Sequence, residues 1–328
     1  MHHLVIGEGQ IGRALIERAL ADGDTVTVLR RTAKDPSPGI RRVAGDVLDP
    51  AALGAALEGA ESVLASFHAP YDARLWQEQL PPRELAVLDA AAEAGIPVVF
   101  PESLYGFQGG AASLAEDAAP SPQDAKGRVR VQLLAQRRAH RARTLSVIAS
   151  DLIGPSTVGT GAAVATAMVF EPVLAGRRAI LFGRADLPHT LTFVPDLAEA
   201  MLHAARHAER LTGEAGDAVL NAPAARARTQ RELIAEVSRL AGRPIRRPLP
   251  IPRTVLALLS PVSTFARELH GIAGLWYGPS EQLPGRLAQE EGLAPTPWAE
   301  AVRATVDEAR ARRGSTVARG TGAVGAGR

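Results

Sequence analysis

Six consecutive residues near the start of the chain, Gly7-Glu8-Gly9-Gln10-Ile11-Gly12, have the spacing of a phosphate-cradling turn. An apolar run, His3 to Ile6, precedes them, and apolar residues at helical spacing, Ile11, Leu15, Ile16, Ala19 and Leu20, follow. In a strand, turn and helix of this kind Gly7 allows the tight turn and Gly9 lets the backbone approach a pyrophosphate. Gly12 permits close helix packing, and the helix start at Gln10 and Ile11 turns its free N–H groups to the phosphates. The pattern predicts dinucleotide binding; the alternative is a glycine turn that binds nothing.

The end of the next apolar run, Thr25 to Leu29, chooses between the two nicotinamide dinucleotides. An acid there bonds both ribose hydroxyls and repels a 2′-phosphate, but here Arg30 and Arg31 stand 18 and 19 residues past Gly12. Two guanidinium groups match a 2′-phosphate in charge and geometry, so NADP(H) is expected over NAD(H). The competing reading is a solvated pair on an Arg-rich surface. In Ala44-Gly45-Asp46-Val47 the Asp46 carboxylate is placed to accept from an adenine amine, with a backbone N–H at Val47 meeting the ring. A turn or cap role for Asp46 is the alternative.

The elements that must hold these residues alternate. Short apolar runs at His3–Ile6, Thr25–Leu29, Arg41–Ala44, Ser62–Phe67, Ile96–Phe100 and Leu145–Ala149 read as strands, with helical segments at 50–58, about 83–94 and 124–141. Such alternation implies right-handed crossovers and a Rossmann-type, doubly wound parallel α/β sheet. Residues 1–150 form the expected NAD(P)-binding core, completed by about 178–221, and 151–177 with 222–312 form a smaller C-terminal substrate-binding portion. A helix is expected near 161–175, Asp196 as the cap of another, a Thr229/Glu232 capping box ahead of a third, and a last helix around 296–312. The tail, 313–328, is rich in Gly, Arg, Ala and Thr and reads as disordered.

Several motifs in this order carry a resemblance. The glycine turn, Ala44-Gly45-Asp46-Val47-Leu48-Asp49, Phe100-Pro101-Glu102-Ser103-Leu104-Tyr105-Gly106, Lys126 and Phe193-Val194-Pro195-Asp196-Leu197-Ala198 together resemble the extended short-chain dehydrogenase/reductase superfamily. The chain looks most like its atypical NAD-dependent epimerase/dehydratase members, over about residues 3–310. The resemblance implies a Ser/Tyr/Lys site in which Tyr is the general acid or base, Lys holds the nicotinamide ribose and lowers the Tyr pKa, and Ser orients the substrate oxygen. Lys126 fits the lysine position, but Pro122 stands four residues earlier, where the family has its Tyr.

The nearest replacement for that acid is Tyr105, just past the C-terminal end of the fifth strand, where ligands of open α/β sheets bind. Ser103, two residues before it, is placed to polarise the same oxygen. Phe67 and His68, after the fourth strand, face the same crevice, and His68 is a candidate second acid or a bland loop residue. His189 falls in the stretch that borders the substrate pocket in the family.

Composition removes several function classes. There is no Cys, so disulfides, thiolate metal sites and Cys nucleophiles are excluded. His203 and His207 share a helix face without a third ligand, so no metal is expected. The formal charge is +2, and Lys126, Arg128, Arg130, Arg137, Arg138, Arg141 and Arg143 lack interleaved aromatics, which reads as a solvated basic face rather than a nucleic-acid site. No apolar run is long enough to cross a membrane, so a cytoplasmic protein with neither membrane nor nucleic-acid partner is expected; a homodimer is left open. The leading expectation is an NAD(P)-dependent oxidoreductase or epimerase transferring hydride with a small alcohol, carbonyl or sugar-like substrate. The rival is a non-catalytic NADP(H) sensor or regulatory protein on the same fold.

Overall fold

Strands buried on both faces need apolar residues of both parities, and the N-terminal runs supply them. The computed structural model describes residues 1–32, 37–158 and 163–322, with side chains as far as Arg313; Lys34 lies outside them. Strands β1 (His2–Ile6), β2 (Thr25–Arg30), β3 (Ile40–Ala44), β4 (Ser62–Ala65), β5 (Val98–Ser103) and β6 (Thr144–Ala149) join a seventh, Asp217–Asn221, in one parallel sheet. Its order is Asp217–Asn221, β6, β5, β4, β1, β2, β3. The order reverses between β1 and β4, which leaves a crevice outside the C-terminal ends of the strands.

Alternation along each strand divides the core. Val5, Leu64 and Val99 pack with α1 (Gln10–Ala21) and the helix Val194–Arg206, whereas Leu4, Ile6, Val63, Val98 and Phe100 pack with α2 (Pro50–Leu57) and α3 (Ala73–Ala94). One register slip would exchange the two sets.

Helix α3 begins ten residues earlier than the expected start near 83, because Pro81 and Pro82 lie inside it. Each proline removes an N–H from the helical ladder. The preceding turns are held by tertiary contacts instead: Asp72 caps them through Arg74 N and Leu75 N, Trp76 and Leu80 are buried, and Gln136 Nε2 donates to the Pro81 carbonyl at 3.1 Å.

Apart from Asp217–Asn221, the strands described beyond residue 150 are short and paired in twos: Asp151–Ile153 with Leu191–Phe193, Pro188–His189 with Arg228–Thr229, and Ile180–Phe182 with Leu249–Ile251. The Thr229/Glu232 capping box forms and opens the helix Gln230–Ala241. Asp196 is not a cap; it sits in the first turn of Val194–Arg206 and accepts from Thr296 N and Oγ1 at 2.8 and 2.6 Å, tying that helix to the C-terminal segment. The helix expected at 161–175 is a π turn, Thr166–Phe170, running into Glu171–Leu174, and 159–162 lie outside the described residues. The last helix, Trp298–Gly322, continues past 312, so disorder from 313 does not hold through Gly322. Residues 323–328 lie outside the described residues.

Helix α4 (Ala125–Ala139) corrects the reading of a solvated basic face: Lys126, Arg130 and Arg137 are buried. Arg137 bonds Glu84 through two nitrogens, at 2.6 and 2.8 Å, and reaches Glu102 at 2.9 Å and Ser146 Oγ at 2.9 Å. Arg130 Nε donates to the other oxygen of Glu102 at 2.5 Å. Burial alone would raise the Glu102 carboxyl, but the two arginines override it and hold it below its ordinary range. Removing one member of such a network strands the others in low dielectric. Arg137→Leu is therefore expected to cost about 3–5 kcal/mol in urea denaturation, and a loss below about 1 kcal/mol would show that the network is not sealed.

Candidate functional site

The glycine turn has two structural glycines and one open one. Gly7 has φ +93°, a region that favours glycine, and a Cβ on Gly12 would lie 2.0 Å from the Gly7 carbonyl oxygen. At Gly9 a Cβ would meet nothing within 4 Å. Gly9 faces a cavity of about 990 Å³, within the range of small-molecule sites.

That cavity gathers eight of the residues singled out from the sequence: Gly9, Gln10 and Ile11 at the start of α1, Phe67 and His68 after β4, Ser103 and Tyr105 at the end of β5, and His189. Two of them carry buried polar atoms without a hydrogen-bond partner, Gln10 Oε1 and Ser103 Oγ. A dinucleotide laid across the turn fits both observations, because the open face of Gly9 admits a pyrophosphate and the orphaned oxygens await polar partners.

The phenol of Tyr105 lies 3.1 Å from that of Tyr71, and its ring stacks on Trp76 at 5.8 Å. Burial raises both phenols well above the ordinary value, so they are protonated at neutral pH and act as donors rather than bases. His68 packs its edge on Trp76, and its Nδ1 lies 2.7 Å from the Ala69 carbonyl. Desolvation by the cavity wall and the Arg130 charge push it down to about 4, leaving a neutral imidazole. His189 is buried between the carbonyls of Leu187 and Leu275, at 3.1 and 3.0 Å, and stacks on Trp276; burial lowers its pKa as well.

Lys126 does not line the cavity. Its ammonium donates to the Glu268 carboxylate at 2.5 Å and the Glu268 carbonyl at 2.8 Å, and sits 4.6 Å from the centroid of the Tyr71 ring. In this arrangement it is bonded to the helix Thr264–Gly271. Glu268 belongs to no motif, and only the tertiary fold brings it within reach.

Arg30, Arg31, Asp46 and Val47 lie at the other end of the turn, outside the cavity wall. Arg30 donates to Glu8 at 3.1 Å and to Thr32 Oγ1 at 3.1 Å, while Arg42 approaches the second Glu8 oxygen at 3.5 Å. Arg31 is exposed. Asp46 makes the turn contact weighed for it, accepting from Leu48 N at 3.1 Å, and Val47 is buried.

Sequence reading missed Glu84, Glu102, Trp76 and Asp151, all on the cavity wall. Glu84 had a signal, an acid interrupting the apolar stripe Trp76, Leu80, Val87, Leu88 and Ala91. Asp151 accepts from the N–H groups of Val164 and Ala165 at 2.9 and 2.7 Å, yet burial pushes its carboxyl up to about 7.

Comparisons with known proteins agree with this architecture. Residues 7–143 match the family described as NAD(P)H-binding. No curated protein sequence matches the chain. Among solved structures, the UDP-glucose 4-epimerase of Thermus thermophilus in complex with NAD is similar, with 20% identity, a TM-score of 0.67 and coverage of 94% of this chain and 99% of that one. The Thermotoga maritima UDP-glucose 4-epimerase with UDP-glucose is 17% identical, at 0.69, over 95% and 99%. The Bordetella bronchiseptica enzyme WbmH with NAD⁺ is 17% identical, at 0.71, over 94% and 98%. The chain thus has the fold of the extended short-chain dehydrogenases/reductases. That fold is shared with these nucleotide-sugar epimerases, and the part of it that matches the NAD(P)H-binding family is residues 7–143.

The glycines separate folding from binding. Gly9→Val is expected to abolish cofactor binding in calorimetry while leaving the melting temperature within a few degrees of the parent, since its side chain enters open space. Gly12→Ala forces a backbone shift and is expected to cost about 1–3 kcal/mol of stability. Parental NADPH affinity in Gly9→Val would remove the phosphate turn from the site.

Proposed function

We propose that the chain is an NAD(P)-dependent oxidoreductase that moves hydride to or from a small, uncharged carbonyl or alcohol substrate. One observation carries the reading: one cavity is walled both by the open face of Gly9 and by the unpartnered Ser103 hydroxyl and Tyr105. A bound nicotinamide would supply the hydride donor or acceptor. Gln10 and the first N–H groups of α1 would hold the phosphates, Ser103 Oγ would donate to the substrate oxygen, and the protonated Tyr105 phenol, backed by Tyr71, would deliver the proton to a carbonyl oxygen as hydride reaches its carbon. Replacing a family Tyr at position 122 by Pro leaves this pair as the phenols nearest the site.

The wall argues for an uncharged substrate. Arg130 and Arg137 are neutralised by Glu102 and Glu84, whereas Arg13, on α1 beside the glycine turn, donates to the Ser156 carbonyl at 3.2 Å and keeps its charge for the dinucleotide. The far wall is Leu152, Val158, Val164, Phe265, Leu275 and Trp276. Against that far wall the diphosphate of a nucleotide sugar, the ligand of the T. maritima enzyme, would be desolvated with no cation to pair it among the described lining residues there.

For the cofactor, NADP(H) is the proposed preference. Arg30 and Arg42 both pair with the Glu8 carboxylate and Arg31 beside them is exposed, so a 2′-phosphate at the end of β2 would meet guanidinium groups. A charge-assisted contact is worth roughly 1.5–3 kcal/mol, so Arg30→Ala is expected to weaken NADPH binding by about one to two decades and NADH binding little. Tighter NADH than NADPH binding by the parent would overturn the preference.

The commitment of Lys126 to Glu268 favours a second reading, a sensor of the cofactor that does not turn over. Turnover of NADPH against a panel of apolar aldehydes and ketones separates the two. Under the enzyme reading Tyr105→Phe lowers kcat by about 10²–10⁴ with little change in cofactor affinity. Saturable binding with no consumption on any member of the panel would establish the sensor.

A further inference from the structure

Exposed large apolar side chains are concentrated in one part of this molecule. Ile245, Leu249, Val255, Leu258, Leu259, Val262 and Phe265 all lie within twenty-one residues of sequence, with Val262 85%, Leu258 79% and Ile245 67% exposed. They belong to the strand Leu249–Ile251, the helices Arg253–Leu259 and Thr264–Gly271, and the segments beside them. The helix Arg253–Leu259 buries only Leu256, so its apolar side chains outnumber what the core takes up. The two helices pack on one another, and Thr264 and Phe265 form part of the cavity wall.

The same stretch has a one-sided charge. From Leu240 to Arg267 it contains Arg243, Arg246, Arg247, Arg253 and Arg267 and no Asp or Glu. Only Arg267 meets acids, at 3.8 Å from Asp72 and 3.9 Å from Glu268, and it is half exposed. A sixth arginine, Arg178, is fastened there through the carbonyls of Arg247 and Pro248, at 2.7 and 3.1 Å. Exposed apolar tips flanked by arginines without acids have the composition of an interfacial anchor. Such a face sinks shallowly into the boundary of headgroups and acyl chains, and its cations pair with anionic lipid.

We propose that residues 243–267 dock this protein on an anionic membrane surface and set the mouth of the cavity against the lipid. This goes beyond the proposed oxidoreductase reading and rests on different residues, so the docking stands or falls without reference to turnover. No helix among the described residues is long and apolar enough to cross a membrane, and none is needed. The sequence expectation of no membrane partner was drawn from run length, which a peripheral face does not require. The charge of the stretch is what selects anionic lipid over a second copy of the chain, because two such faces brought together would repel one another.

The test is sedimentation of the full chain with vesicles of phosphatidylglycerol and phosphatidylcholine in equal parts, and with phosphatidylcholine alone. Binding is expected to the first and not the second, and to fall as salt is raised. The pair Leu258→Glu and Val262→Glu, both on the surface and outside the cavity wall, is expected to weaken partitioning by about tenfold or more with an unchanged melting temperature. Arg246→Ala with Arg247→Ala is expected to do the same through charge, at about fivefold for each arginine. Absence of binding to the anionic vesicles, or parental binding by Leu258→Glu with Val262→Glu, would overturn the proposal. So would light scattering that shows a dimer dissolved by that pair of substitutions in a chain that ignores vesicles.

Discussion

Arg137 is among the largest side chains with no exposed surface, and the cavity floor is built around its charge. Its guanidinium lies over the Phe100 ring at 4.0 Å and bridges α3, through Glu84, to the end of β5, through Glu102. Each ion in such a network loses several kcal/mol of hydration, so the arrangement persists only because nearly every donor and acceptor is matched. The matching positions the chemistry. Glu102 Oε1 also accepts the backbone N–H of Ser103 at 2.7 Å, so the carboxylate that balances two arginines fixes the serine that follows it. Ser103 then presents a hydroxyl that no protein group bonds.

A second constraint sits on the other side of the aromatic cluster. Tyr71, Trp76 and Tyr105 come from the loop after β4, from α3 and from the turn after β5, and they meet edge to face or stacked within 5.8 Å. Lys126 caps this cluster from behind, and its bond to Glu268 joins the sheet-bearing half of the chain to the helix that lines the cavity mouth. That ammonium is a tether between the two halves. Burial of the pair is tolerable because Asp124 adds a carboxylate at 3.7 Å and the Tyr71 face a negative quadrupole.

The two ends of the cavity are different chemically for topological reasons. The dinucleotide end is made of strand termini and a helix start, where backbone N–H groups and glycines are exposed by the fold itself. The opposite end is made of short helices and two-stranded pairs, whose side chains alone decide its character. That end is apolar, and it continues onto the surface through Phe265.

What the sequence determined by itself is everything governed by local periodicity. The parallel strands, the glycine turn, the Thr229/Glu232 cap and the placement of Ser103 and Tyr105 at the end of β5 all follow from residues adjacent along the chain. It failed where distant residues change a local rule. Pro81 and Pro82 end a helix on propensity, yet Trp76 and Leu80 are buried and hold α3 together through them. Arg130 and Arg137 read as solvated because charge belongs in water, and only Glu84 and Glu102, 53 and 35 residues from Arg137, make their burial affordable. Lys126 sits in the family's position but 142 residues from Glu268, the group that claims it. Periodicity is written in neighbours; the partner of a buried charge is chosen by packing, and packing exists only once the chain has folded.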